Sequence, residues 1–332
     1  MYTLKQIPED FVVKEIKHLN ISSGRFAYLK IKKKLRNTLD VVKEISKQLN
    51  IKEKQIGFAG SKDKNAITEQ YFSVEAVKEE KIKELNVQNT EIEFLGFGNK
   101  GFFLGDLEGN KFEIVIRNLD NDNINIKEID FVENYFDEQR FSIHNSAIGK
   151  YLIKKEFSEA CKLIDYYKVK QYLEQKKSDY VGAIRLVPQR LLKMYVHAYQ
   201  SYLWNETLAE YLRQFNCKEV KYSLGTFLFN EKKTNLKIPL LGFNNDFDDD
   251  KIENIAVNIL EKEEIDFSDF VIKQIPQLSL EGEDRNAFVA VKDLSVGTLE
   301  DDDLNTGKKK IRVTFTLGKG SYATMVIRKL FA

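Results

Sequence analysis

Two cysteines, Cys161 and Cys217, in 332 residues cannot build a disulfide framework, and they show no metal-ligand spacing. Histidine is nearly as scarce. His18, His144 and His197 stand far apart, so neither a zinc nor an iron site is expected. No uninterrupted apolar run approaches the length of a membrane span. The segment Met1–Pro8 lacks the apolar core of a signal peptide. An excess of either charge is missing too: 52 Lys and Arg against 51 Asp and Glu leave a net charge of +1. The overall balance therefore does not announce a nucleic-acid partner. A cytoplasmic protein without a metal, acting as a monomer, is the default expectation.

What is present describes a globular chain. Hydrophobic residues make up 42% and charged residues 31%, and the length suits two domains with a substantial core. The charges are unevenly placed. Residues 25 to 64 hold 12 Lys and Arg but only Asp40, Glu44, Glu53 and Asp63 as acids. Such a local field can bind a phosphate backbone even in a near-neutral protein; the alternative is an ordinary solvated face. Acid gathers instead in Asp246–Asp250 and Glu300–Asp303. The first of these lacks the turn glycine and the spaced glutamate of an EF-hand, which excludes that calcium motif.

One stretch concentrates candidate chemistry: Gly57-Phe58-Ala59-Gly60-Ser61-Lys62-Asp63-Lys64, running on to Gln70. Its glycines allow a tight backbone path and close approach of another molecule. Asp63 lies between two lysines, just before a strand-like run, and a positive field favours the ionised carboxylate. That suits a nucleophile or an electrostatic stabiliser better than a general acid. Read alone, the same stretch is equally a charged surface turn.

Periodicity supplies the frame. Alternation predicts strands over residues 10–16, 25–32 and 67–74, and Asn37 or Thr38 is a plausible cap for a helix ending near Leu49. A Lys/Glu-rich helix near 77–85 and a strand at 92–95 follow. Leu104–Arg117 reads as a glycine turn and hairpin, with Phe112, Ile114 and Ile116 alternating. Residues 145–213 read helical, with segments at 188–196 and 197–213 among them. The region 214–290 is mixed, and the C-terminus returns to a strand at 313–317 and a helix at 322–330. This is an α+β pattern with a mainly antiparallel sheet. A mixed, helix-rich insertion over residues 146–290 interrupts a catalytic-type domain built from residues 1–145 and 291–332. Asn134-Tyr135-Phe136 with Gln139-Arg140-Phe141 groups aromatics, amides and an arginine. These are the side chains that stack on unpaired bases and pair with phosphate, or equally those of a packed core corner.

Taken in order, these landmarks resemble the tRNA pseudouridine synthase D (TruD) family. Glu9-Asp10-Phe11-Val12-Val13-Lys14-Glu15 resembles its Phe-x-Val-x-Glu segment, and Lys33 to Thr38 its Lys-x-x-x-Asn-Thr. Ala59-Gly60-Ser61-Lys62-Asp63-Lys64 is similar to its catalytic segment, and Leu104–Arg117 to its Leu-Gly…Gly-Asn-x-Phe segment. Asn134 to Phe141 resembles its Asn-Tyr-Phe…Gln-Arg-Phe motif, with Asp137 and Ser142 where the motif has glycines. His197–Asn205 and Gly320–Thr324 with Arg328 complete the series. The resemblance implies a pseudouridine-synthase-like catalytic domain with an inserted TruD-type domain. It also implies cofactor-free isomerisation of a uridine in tRNA, at position 13.

Asp63 would be the catalytic acid. It would attack the sugar or base, stabilise the sugar cation, or remove a C2′ proton. The base must first leave its stack. Phe136 would stack on the flipped uracil, Asn134 would hydrogen-bond nearby, and Phe11 would support the pocket. Lys62, Lys64 and Arg140 would contact phosphates or pair with Asp63, and Lys33 would belong to the RNA-binding basic field. The same chemistry on another RNA, or a non-catalytic RNA-binding protein on this scaffold, are the alternatives.

Overall fold

The computed structural model describes residues 2–120 and 126–332. Two compact units divide the chain. The first takes the residues up to Asp130 together with Ala290–Ala323; the second takes Phe131–Val289 and Thr324–Ala332.

The first unit is organised by β1 (Phe11–Ile16), β2 (Phe26–Lys34), β3 (Ile56–Phe58), β4 (Ile67–Glu75), β5 (Thr90–Gly98), β6 (Gly109–Leu119), β7 (Phe288–Val296) and β8 (Lys309–Gly318). Their order is β5-β2-β4-β1-β6-β8-β7, with β3 beside β4. Every one of these neighbours is antiparallel except β1 and β4, which run parallel with Val12 beside Ile67 and Lys14 beside Glu69. The hairpin expected over Leu104–Arg117 does not form. β5 pairs β2, whereas β6 runs between β1 and β8. The alternating Phe112, Ile114 and Ile116 are all buried, which a central strand allows and a surface hairpin would not. Gly109 opens β6 because a Cβ there would lie 2.3 Å from the Leu317 carbonyl oxygen of β8.

Helix α1 (Thr38–Leu49) follows from its pattern: Val41, Val42, Ile45 and Leu49 share one side and are buried. They pack with Ala27, Leu29 and Ile31 of β2 and with Phe72 and Val74 of β4. Each such side chain contributes about 1.5–3 kcal/mol by leaving water. Asn37 holds the cap position but its side chain makes no capping bond, and the Thr38 hydroxyl bonds to Gln70 instead.

In the second unit the short helices Asn145–Ile153, Phe157–Leu163, Tyr167–Gln175 and Tyr180–Ile184 precede the 24-residue α2 (Gln189–Leu212). The sequence suggests a break near residue 197, but α2 is continuous. Its buried residues, including Leu192, Tyr195, Val196, Tyr199, Gln200, Leu203 and Trp204, run round most of its circumference. A helix covered on all sides shows no single apolar stripe. Around it lie the core residues Ile148, Leu152, Ile259 and Phe270, and the antiparallel pairs Lys218–Tyr222 with Gly225–Phe229 and Lys237–Leu240 with Glu283–Asn286. The terminal helix α3 (Ala323–Leu330) sends Lys329 to the buried Glu133 at 3.1 Å. Among the described residues no helix is long and apolar enough to cross a membrane.

Candidate active site

Asp63 sits on the loop between β3 and β4, and its carboxylate is 45% exposed. The backbone beneath it is held from several directions. The Lys62 N–H donates to Thr38 Oγ1 at 3.0 Å, and that hydroxyl donates to Gln70 Oε1 at 2.9 Å. Gln70 Nε2 in turn donates to the Gly60 carbonyl at 3.4 Å. The Gly105 N–H reaches the Ala59 carbonyl at 2.7 Å. Gly57 is required by packing, since a Cβ would meet the Phe102 carbonyl oxygen at 2.2 Å. At Gly60 the space is open: the nearest atom to such a Cβ is Lys62 Nζ at 3.9 Å. The result is an exposed acid on a fixed loop, the preorganisation that charge-stabilising sites need.

The partner of Asp63 is neither flanking lysine. Lys5 Nζ donates to Asp63 Oδ2 at 2.5 Å and lies 4.0 Å from the centroid of the Phe11 ring. Phe11 is itself buried edge-on to Phe112, centroids 6.2 Å apart. One ammonium thus touches both the Asp63 carboxylate and the Phe11 ring.

Two lysines differ from the reading as phosphate contacts. Lys62 turns inward, its Nζ 2.7 Å from the fully buried Glu15 carboxylate; a buried ion pair of this kind is closed to a phosphate. Lys33 is 1% exposed. Its ammonium donates to the carbonyls of Arg36, Lys62 and Asp63 at 2.7, 3.3 and 2.9 Å. Burial pulls its pKa down to about 8, with the Asp63 charge opposing and the Lys62 charge assisting. Lys33 alternates with its neighbours along β2, so Lys32 and Lys34 face outward to pair with Glu91 and Glu9. Lys64 is exposed and makes no ion pair among the described residues.

The second motif lies in the other unit. Asn134 is buried; its Nδ2 donates to the Asn286 carbonyl at 3.0 Å, and its Oδ1 accepts from Arg285 at 2.8 Å. Phe136, 8% exposed, is clamped on both sides of its backbone by Asn205. Its N–H donates to Asn205 Oδ1 at 2.9 Å, and Asn205 Nδ2 donates to its carbonyl at 2.8 Å. Its ring stands at 90° to Trp204 and carries the Arg285 guanidinium 4.1 Å from its centroid. Arg140 reaches Ser201 Oγ at 3.3 Å.

The two altered glycine positions have separate explanations. Asp137 is buried and accepts from Thr324 Oγ1 at 2.7 Å, beside the Arg328 guanidinium at 3.3 Å. The Arg328 guanidinium lies between two carboxylates, since it also meets Glu138 at 2.5 Å, and so offsets the Asp137 charge only in part. The Asp137 backbone is extended, so it needs no glycine freedom. Ser142 keeps φ +47°, the left-handed conformation that glycine adopts without strain.

Several residues of the first site escape a reading by pattern. Lys5 stands in a stretch with no periodicity. Glu15, Thr38 and Gln70 lie within recognisable segments, but only the fold shows that they converge on one loop.

The comparisons with known proteins agree over the whole chain. The family described as tRNA pseudouridine synthase D (TruD) matches residues 2–170, 167–221 and 213–330. The tRNA pseudouridine synthase D of Aquifex aeolicus (strain VF5) is 35% identical, the match covering 99% of this chain and 97% of that protein. A Methanocaldococcus jannaschii protein provisionally named tRNA pseudouridine synthase D 2 is 33% identical over 99% of this chain and 91% of its own. Among solved structures, a Methanosarcina mazei protein provisionally named tRNA pseudouridine synthase D superposes with a TM-score of 0.74. It shares 25% identity and the match covers 99% of this chain and 93% of that one. The chain belongs to the tRNA pseudouridine synthase D (TruD) family.

Proposed function

We propose that this tRNA pseudouridine synthase isomerises the uridine at tRNA position 13, with Asp63 as its catalytic carboxylate. The observation that carries the reading is the exposed Asp63 carboxylate on a loop fixed at Ala59, Gly60, Lys62 and Asp63 itself. Isomerisation breaks the N1–C1′ bond, turns the uracil and joins C5 to C1′. The net proton movement is from C5 to N1, so reactant and product balance without a redox partner. Asp63 acts at the flipped nucleotide as the uracil departs, and Lys5 holds the carboxylate's orientation and supplies a compensating charge. One carboxylate suffices where ordinary glycoside hydrolysis uses two, because uracil can leave as an anion without a strong acid and no water has to be activated.

On the family motif, Phe136 stacks on the uracil and Asn134 hydrogen-bonds to the base or sugar. Their support is the rigidity of the motif, clamped by Asn205 and Arg285. Lys64 and Arg140 are the phosphate contacts that the proposal retains. The inserted TruD-type domain is assigned to residues 146–290, the site of action to the cytoplasm, and the acting species to a monomer.

Pseudouridine formed in an unmodified tRNA transcript, mapped by mass spectrometry after incubation with wild type and Asp63→Asn, tests this. Wild type should modify position 13 and Asp63→Asn should leave the transcript unchanged while still binding it. Wild type that binds without making pseudouridine would establish a non-catalytic RNA-binding protein. Modification of another uridine, or only of another RNA, would overturn the substrate assignment. Turnover by Asp63→Asn at the wild-type rate would remove Asp63 from the chemistry.

A further inference from the structure

We infer that Lys33 is a positioning residue for the acid: its buried ammonium pins the backbone of Lys62 and Asp63 and so fixes where the Asp63 carboxylate stands. The inference rests on the reading of Asp63 as the catalytic group.

The geometry is specific. An ammonium has three protons to donate, and Lys33 directs them at three carbonyls: Arg36 where β2 ends, and Lys62 and Asp63 on the loop. Among the described residues Lys33 makes no ion pair. Its charge is compensated by carbonyl dipoles and by the nearby Asp63 side chain. A buried charge compensated in this way is costly to keep. A methionine of similar length would avoid that cost, but would leave three carbonyls without their donor. The ammonium therefore links the sheet to the loop through the Lys62 and Asp63 carbonyls, which neither Thr38 nor Gln70 bonds.

The surroundings make this link sensitive to pH. The Asp63 carboxylate favours the ammonium and the Lys62 ammonium disfavours it. The Arg36 guanidinium is engaged by Glu44 at 2.7 Å. Across the sheet Lys33 faces the uncharged Thr68 of β4 and Thr90 of β5, while Thr38 of α1 is a neutral hydroxyl. Burial brings deprotonation down to about pH 8. Above it Lys33 offers two N–H groups and no charge to three carbonyls, and the loop loosens.

The test separates positioning from phosphate binding. Single-turnover pseudouridine formation on a tRNA transcript, at saturating enzyme from pH 6.5 to 9.5, is compared for wild type, Lys33→Met and Lys33→Arg. Transcript affinity is measured against salt and folding by circular dichroism. Wild type should slow by about tenfold between pH 7 and pH 9, as a group with a pKa near 8 is neutralised. Lys33→Met should react at least tenfold more slowly at pH 7, bind within twofold of wild type and show no limb near pH 8. Lys33→Arg, whose charge persists, should keep its rate to higher pH.

Weaker binding with a shallower salt slope, and a normal rate once bound, would make Lys33 a phosphate contact and overturn the inference. A limb near pH 8 that persists in Lys33→Met or Lys33→Arg, or that is missing in wild type, would overturn it as well. If Lys33→Met fails to fold, the wild-type and Lys33→Arg profiles decide alone. Wild type without any pseudouridine would instead defeat the enzyme reading beneath it.

Discussion

Replacing Arg117 with methionine removes one charge and little volume from the middle of the first unit. The guanidinium holds Asp10 at 2.8 Å, Asp302 at 2.7 Å and Asp303 at 2.8 Å, and the first two carboxylates are 1% and 0% exposed. Without it, Asp302 keeps the N–H groups of Asn118 and Leu304 and the Asn305 amide. Asp10 keeps only the Ile7 N–H among the described residues. Asp10 is therefore the carboxylate left most exposed to the loss. Breaking a buried ion pair from one side costs about 3–5 kcal/mol, a large fraction of the roughly 5–15 kcal/mol that holds a typical domain together. At about 2–4 °C per kcal/mol for a unit of this size, the calorimetric midpoint should fall by roughly 6–20 °C. Arg117→Met combined with Asp10→Asn should recover some of the loss.

The same substitution has a signature in acid. Burial pushes the Asp302 carboxyl up, but hydrogen bonds from Asn118, Asn305, Leu304 and Arg117 outweigh it and hold the group well below the usual carboxylate range. A depressed carboxylate contributes stability that is present above its unfolded pKa of about 4 and is lost as pH falls toward the folded value. Arg117→Met should flatten that acid limb. A midpoint lowered by less than about 2 °C, with an unchanged acid limb, would refute the assignment of Arg117 as the centre of a buried charge cluster.

Two further substitutions separate chemistry from packing. Lys5→Met removes an ion pair whose side chains are 23% and 45% exposed. Urea unfolding should therefore show a loss below about 1 kcal/mol, while pseudouridine formation falls at least tenfold; an unchanged rate would place Lys5 outside the site. Asn205→Ala strips partners from both the N–H and the carbonyl of Phe136, each costing about 1–3 kcal/mol when buried. The Phe136 amide should lose its protection in hydrogen exchange, and retained protection would contradict the clamp.

The strands and α1 were legible because their burial is periodic: Val41, Val42, Ile45 and Leu49 announce one face, and Phe112, Ile114 and Ile116 another. Partners were less legible. Nothing in residues 104–117 says that the strand runs between two distant segments and not back on its neighbour, because alternation specifies a face and not a companion. At the site, Asp63 stood out through its neighbours in sequence, yet those neighbours are not its neighbours in space. The lysine that meets Asp63 is 58 positions away, and the adjacent Lys62 serves Glu15. In sequence Lys33 is flanked by Lys32 and Lys34, and only strand alternation set against a buried loop separates it from them.

The placement of β8 carries a consequence for how the protein is made. β6 is complete at residue 119, but its second neighbour begins only at Lys309. At the usual pace of about 5–20 residues per second, β6 waits on the order of 10–40 s on the ribosome with one edge unpaired. Such an edge is an invitation to foreign strands. The chain must therefore protect it during synthesis, and a product ending before residue 309 lacks a central strand.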